Sequence, residues 1–298
     1  MGFGVLTLAT HSDYHKAVGL ALSIRVSNPG VSVAVACSKE ARELVEPHFD
    51  HVIDQDRSLR RFEHKLHLDR YSPFDETFYF DSDVLVFRPL SEVIDDWRRQ
   101  PYTACGNYAT EGISAFGLDT EAVLRIIGHN KLVKIDGAGH AYFRKPDCIP
   151  VFELAREIAS NYRLYAGDIS LADEDVMNIV MTKMGLSPIP HVKFWSLHCT
   201  AKPGTLKMNA AEGKCSLDRV FDEQTQRPYM MHFAAREAPF VHAKQLRLLF
   251  NKFGVPGRGL MWRAIHDFYI REIKWPAKGA ARSFLDKVSF RPSNNVYG

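Results

Sequence analysis

Thr77-Phe78-Tyr79-Phe80-Asp81-Ser82-Asp83-Val84-Leu85-Val86 is the stretch that decides how this chain is read. Four residues with strand propensity, three of them aromatic, run straight into two carboxylates one residue apart. Carboxylates repel phosphate-rich ligands, so such a pair at a strand end needs a reason. A divalent cation supplies one. Asp oxygens are hard ligands suited to Mg²⁺ or Mn²⁺, and the cation can bridge them to a diphosphate. A plainer reading is a turn in which both Asp side chains bond local backbone and water.

Working outward, strands and helices alternate ahead of the motif. Gly4–Ala9 reads as a buried strand. His11-Ser12-Asp13 offers helix-capping chemistry, and Ala17, Leu20, Ala21 and Ile24 follow at helical spacing. After the turn at Asn28-Pro29-Gly30 come a strand over Val31–Ala36, a short helix over Glu40–Val45 and a short strand at Val52-Ile53. Phe62–Tyr71 fits a helix that Pro73 breaks before the motif strand. This alternation predicts an α/β fold with right-handed crossovers and a largely parallel sheet. In such sheets ligands gather at the carboxyl ends of strands, where Asp81 and Asp83 stand.

The second half is less regular. A strand is expected at Ala141–Phe143, and helices over Val151–Ala159 and Glu174–Met184, the latter stopped by Gly185. A boundary near Asn251 divides a domain of residues 1–250 from an extension over 251–298. Those last residues hold nine Lys/Arg against three Asp/Glu, a local +6 in a chain of 298 residues whose net charge is +3. Residues 258–273 read as a helix carrying Met261, Ala264, Ile265, Phe268 and Ile273 on one side, with Arg258, Arg263, Arg271, Trp262 and Tyr269 around it. A basic, aromatic, amphipathic tail can lie on an anionic membrane, or pack its apolar face on the catalytic domain. The acidic balance of the first 250 residues argues against nucleic-acid binding. Five scattered cysteines without a CxxC pair fit a reducing compartment. With no signal peptide or apolar run of membrane-spanning length, the expected location is cytoplasmic, extending to the inner face of the membrane if the tail docks there.

Several blocks, taken in order, resemble glycogenin-like glycosyltransferases of family 8, which have the GT-A fold. Lys65-Leu66, Tyr71 and Phe78–Val86 are similar to that family's central Asp-x-Asp block. Leu6–Thr10 with Tyr14 resembles its nucleotide-binding start, and Asp136–Phe143 its sugar-site block. Ala172–Asn178 is similar to its Asp-Gln-x-x-x-Asn helix start, and His232-Phe233 to its late metal-binding His. The resemblance implies a GT-A, Rossmann-like fold with a C-terminal helical tail. It implies transfer of a sugar from a nucleotide-diphosphate donor, UDP-linked, with Mn²⁺ or Mg²⁺ and with retention of configuration. The acceptor is a hydroxyl on a glycan, a lipid-linked molecule or a protein. By the same resemblance Asp81, Asp83 and His232 would hold the metal. Thr7, Ala9, Thr10, Tyr14, Lys65, Ser82, Gly137 and Gly139 would line the donor site, and Asp173 and Glu174 would act at the reacting sugar.

The sequence departs from the pattern in places. The usual Asn near Gly137 is missing, Glu174 stands where Gln is common, and Ala235 and Ala238 replace the Gly and Lys of the late His-x-x-Gly-x-x-Lys block. Each residue also has a plainer role. Ser170–Asp173 fits a variant capping box, Lys65 a solvated helix position, and His232 an ordinary core histidine. Rival functions stay open. Asp81-x-Asp83 also resembles the nucleophile motif of haloacid-dehalogenase-like phosphatases, though that family has Thr where Leu85 stands. A nucleotidyltransferase would need a Gly-rich, Lys-containing loop after strand one, which is lacking. A catalytically silent nucleotide- or carbohydrate-binding module is the third alternative.

Overall fold

The computed structural model describes residues 2–136, 139–190, 194–197, 200–219, 225–234 and 238–274. The strands are β1 Gly4–Ala9, β2 Val33–Cys37, β3 His51–Asp54, β4 Glu76–Phe80, β5 Val84–Val86, β6 Tyr102–Thr103 and β7 Gly106–Ala109. They continue with β8 Leu132–Ile135, β9 His140–Arg144, β10 Trp195–Leu197, β11 Lys207–Asn209, β12 Lys214–Asp218, β13 Thr225–Gln226 and β14 Met230–His232. The helices used below are α1 Tyr14–Ser27, α2 Thr120–Ile127, α3 Ile149–Ser160, α4 Asp173–Lys183, α5 Ala238–Phe253 and α6 Leu260–Phe268.

A six-stranded sheet in the order β3-β2-β1-β4-β9-β6 forms the centre. β3, β2, β1 and β4 run parallel, and β9 pairs antiparallel with both β4 and β6. The expected largely parallel α/β sheet is thus present. Its inner strands β2, β1 and β4 are buried on both faces because each face carries its own core, whereas the edge strand β3 is partly exposed. One core packs Leu20 and Ile24 of α1 and Leu246 and Leu249 of α5 against Val5, Val33 and Phe78. The other packs Phe152 of α3 and Val176 and Val180 of α4 against Leu6, Ala34 and Phe143. Alternate residues of β1, Val5 against Leu6, therefore serve opposite cores.

A second, smaller sheet, β10-β14-β5, positions the motif. β5 leaves β4 through the Asp81-Ser82-Asp83 turn and pairs antiparallel with β14, so that His232 lies opposite Val84. A third sheet, β11-β12-β13, sits beyond it.

Three local expectations are corrected. Residues 61–67 form 3₁₀ turns and only Leu68–Tyr71 is α-helical. Tertiary bonds hold that segment: the Tyr71 hydroxyl meets His64 Nδ1 at 3.0 Å and accepts from the Asp56 N–H at 3.1 Å. Asp13 precedes α1 without capping it, and Ala172 rather than Ser170 stands before α4, also without a side-chain cap. In the tail, α6 starts at Leu260 and passes into a wider π-type turn over Tyr269–Lys274. Its buried residues are Leu260 and Ala264, whereas Met261, Ile265 and Ile273 are exposed. Contact with α5, where Phe240 meets Phe268 at a ring separation of 5.3 Å, sets that face. Trp275 and the rest of the extension lie outside the described residues, as do Gly137 and Cys199. The other four cysteines are free thiols. No helix among the described residues is long and apolar enough to cross a membrane.

Candidate active site

The sheet register builds the acidic centre. Asp81 follows the last residue of β4, and its N–H donates to the Gly139 carbonyl at 2.9 Å, at the start of β9. The Val84 N–H then bonds the Asp81 carbonyl at 3.0 Å, closing a turn that points both carboxylates off the strand end. The Phe233 N–H donates to the Asp83 carbonyl at 3.0 Å, which fixes the end of β14 beside the motif. His232 Nε2 consequently lies 3.2 Å from Asp83 Oδ1. One ligand atom from each of Asp81, Asp83 and His232 falls within 4.8 Å of the others. Two carboxylates and one imidazole form a donor set that suits Mn²⁺ or Mg²⁺. The residues present therefore fit a divalent ion.

A buried chain of polar groups extends from this centre. The Tyr79 hydroxyl donates to Asp81 Oδ1 at 2.5 Å, and Lys65 Nζ bonds Asp81 Oδ2 at 3.0 Å. The same ammonium lies 3.1 Å from Asp173 Oδ2, at the first turn of α4. Burial disfavours the charge on Lys65, but the carboxylates of Asp173 and Asp81 outweigh it and hold the ammonium protonated, with its pKa above the ordinary lysine range. Burial pushes the Asp173 carboxyl up, while Lys65 pulls it back toward ionisation. His232 loses by burial but gains more from Asp83 and Asp81, so its pKa is raised.

These carboxylates edge a cavity of about 850 Å³ over the carboxyl ends of β1 and β4. Ala9, Thr10, Lys65, Ser82, Asp81 and Asp83 line it, all of them expected from the sequence. Asp13, Lys16, Gln55, Arg61, Phe62 and His64 line it as well, and sequence reasoning missed them. Asp13 was visible only as a helix cap. In fact Asp13 Oδ1 accepts from the Thr10 N–H and hydroxyl, each at 2.6 Å, while Oδ2 accepts from the Ser82 hydroxyl at 3.3 Å. This ties the loop after β1 to the acidic turn. Lys16 is paired with Asp267 of α6. Arg61 is the one non-glycine residue with positive φ (50°) among the described residues, a conformation that carries strain and concentrates at functional sites.

Other expected donor-site residues take different places. Thr7 points into the core and is fully buried. Tyr14 faces α6, with the Arg263 guanidinium 5.1 Å from its ring centroid. Gly139 sits against the His232 ring, so close that a Cβ there would come within 2.8 Å of Cε1. Glu174 is buried beside Asp173 in the first turn of α4.

No protein-family model matches this sequence, and a comparison with curated proteins finds no match. Solved structures do match. The galactosyltransferase LgtC, in complex with donor and acceptor sugar analogs, superposes with a TM-score of 0.56 at 16% identity, covering 86% of this chain and 98% of that one. The bifunctional glycosyltransferase WbbM gives 0.55 at 14% identity over 88% of this chain, which spans 51% of WbbM. The glycosyltransferase GlyE of Streptococcus pneumoniae TIGR4 gives 0.54 at 10% identity, covering 86% of this chain and 65% of GlyE. At these identities the likeness concerns architecture. By its sheet order, its acidic turn after β4 and these superpositions, the chain has the GT-A glycosyltransferase fold.

Proposed function

We propose that this chain is a metal-dependent glycosyltransferase that moves a sugar from a UDP-linked donor to a hydroxyl acceptor with retention of configuration. The observation that carries this is the convergence of Asp81, Asp83 and His232 at the rim of the cavity after β1 and β4. Mn²⁺ or Mg²⁺ held there would neutralise charge developing on the departing diphosphate. The chain's own residues then bind and orient the donor. Ala9, Thr10, Ser82 and Gly139 shape the nucleotide side, with Thr7 and Tyr14 supporting it from behind, and Gly137 belongs to the same block by resemblance. Arg61 brings positive charge to a diphosphate, and Lys16, paired with Asp267, lines the same cavity. Lys65, bonded to both Asp81 and Asp173, would position Asp173 beneath the sugar side of the site, where its carboxyl could bond sugar hydroxyls. Glu174 supports that turn of α4.

Residues 1–250 are read as the catalytic domain and 251–298 as an extension that brings it to its acceptor. Exposed Met261, Trp262, Ile265, Tyr269 and Ile273, with Arg258 and Lys274 nearby, support peripheral contact with an anionic, cytoplasm-facing membrane and a lipid-linked glycan acceptor. Retention on phosphatidylglycerol vesicles that is lost on truncation after residue 251 is the expected result. Equal retention of both forms would leave the extension structural.

The function is tested by incubating the chain with a panel of nucleotide sugars and Mn²⁺. One UDP-sugar should be turned over, to free sugar or to product, and chelator should stop the reaction. Phosphate release from simple phosphomonoesters, with every nucleotide sugar intact, would overturn the reading in favour of a phosphatase.

A further inference from the structure

A second cavity, of about 880 Å³, lies at the other end of the β5–β14 pair from Asp83 and His232. Arg88, two residues past β5, and Arg227, three residues before β14, line it, together with Lys207 and Lys214 of β11 and β12. Arg88 lies five positions after Asp83, up to about 17 Å of chain, and the two cavities share no lining residue.

Four cations and no carboxylate line this cavity. Two of the cations are matched from outside it. Arg88 bonds Glu92 at 2.6 Å, stacks 3.9 Å over the Tyr229 ring and donates to the Arg227 carbonyl at 3.2 Å, so its guanidinium is held in place. Lys214 bonds Glu212 at 2.7 Å. Lys207 and Arg227 are exposed and have no acidic partner among the described residues. A surplus of two positive charges therefore faces a space that suits an organic ligand better than a lone ion. Met208 and the half-buried Cys215 add an apolar wall.

We propose that this cavity is a second binding site, separate from the acidic centre, for a phosphomonoester dianion. A phosphomonoester carries about −1.5 to −2 charges near neutral pH and offers three acceptor oxygens. Arg227 can meet two of them with its planar fork, and Lys207 serves as a mobile point charge on the third. The Arg88 guanidinium, held beside Arg227 by its bond to the Arg227 carbonyl, adds a fixed charge to the lining, and the ligand's organic part lies along Met208. The shared chemistry is the phosphate group, borne by a soluble sugar phosphate or by a lipid headgroup.

The test uses the full chain labelled with ¹³C-methyl methionine, the Met208 resonance being assigned from Met208→Leu. Titrating glucose 6-phosphate should shift Met208 saturably, while glucose and NaCl at matched ionic strength should not. Lys207→Ala/Arg227→Ala should raise the half-saturation concentration tenfold or more. Both residues are exposed and outside the catalytic machinery, so the fold should be unaffected. A Met208 shift that follows NaCl, or a double variant that titrates like the parent, overturns the proposal. Co-sedimentation with phosphatidic acid vesicles separates the two sources. Retention that the double variant loses assigns the lipid headgroup. No retention, with glucose 6-phosphate still active on Met208, assigns a soluble phosphomonoester.

Discussion

Gly139→Ala is the sharpest probe of the acidic centre, because one methyl group is aimed at one imidazole. An added Cβ would stand 2.8 Å from Cε1 of His232, 3.0 Å from Nδ1 and 3.1 Å from Nε2. The Gly139 backbone is not in the left-handed region, so alanine is tolerated except for that contact. Ordinary contact requires the ring to retreat by about 0.6 Å, some three times the ~0.2 Å tolerance of a metal–ligand distance. The Asp83–His232 bond at 3.2 Å lengthens or bends with it. Affinity for Mn²⁺ should fall about 10–100-fold, the range seen when a ligand loses its orientation. Off-rotamer strain of roughly 1 kcal/mol should lower the melting temperature by only about 2–4 °C. Electron paramagnetic resonance of free Mn²⁺ gives the affinity without any assay of turnover. In a His232→Ala background the same substitution should cost nothing further, since the coupling runs through the ring. Unchanged Mn²⁺ affinity in Gly139→Ala, or an equal loss in both backgrounds, would refute His232 as a ligand.

Asp83→Asn should abolish Mn²⁺-dependent transfer while melting within about 2–4 °C of the parent, because Asn keeps the side-chain volume of a carboxylate that stands at a strand end, outside both apolar cores, and the change should cost roughly 1 kcal/mol; retained turnover would exclude the metal-assisted mechanism. UDP should raise the melting temperature with Mn²⁺ present and not in chelator, as differential scanning fluorimetry can read. His15 is buried, and its pKa is lowered to about 3, chiefly by burial and then by Lys16 and Arg263. The unfolded chain takes up that proton below pH 6.5 and the native chain only near pH 3, so stability present above 6.5 is lost as pH falls through this window. The slope is about 1.4 kcal/mol per pH unit, and denaturant titrations of His15→Gln should lose that contribution. Gly19→Ala would place a Cβ 1.9 Å from Leu246 Cδ2, where α1 meets α5, and should cost about 1–3 kcal/mol by overpacking; a Leu246→Ala partner substitution should suppress part of that cost.

The legible parts of the fold were those written in local pattern. β1 is apolar apart from Thr7 and lies at the centre of the sheet, and β4 runs straight into the two acids, so each could be read without its neighbours. β5 and β14 are three residues each, too short for any period, and their pairing joins segments about 145 positions apart. His232 could be singled out by resemblance, but only the register opposite Val84 places it beside Asp83. Asp13 looked like a cap because a short acid before a helix usually is one; its partners, Thr10 and Ser82, depend on where the motif turn arrives. Which side of α6 is covered was not written in the sequence, for a related reason. Helical spacing marks an apolar stripe, while the neighbour, here α5, decides which edge of it is covered. Arg61 carries no sequence mark at all, since its strain lives in a backbone angle.

Lys16 belongs to two neighbourhoods at once. It lines the cavity of the acidic centre, and its ammonium is tied at 2.5 Å to Asp267, a residue of α6. Arg263 of the same helix rests on Tyr14, at the start of α1. Binding free energies around a closed cycle must sum to zero. Whatever factor a ligand in the cavity gains or loses when α6 is displaced, α6 gains or loses when that ligand binds. The ion pair thus makes occupancy of the cavity and the seating of the C-terminal helix conjugate quantities, each a gauge of the other.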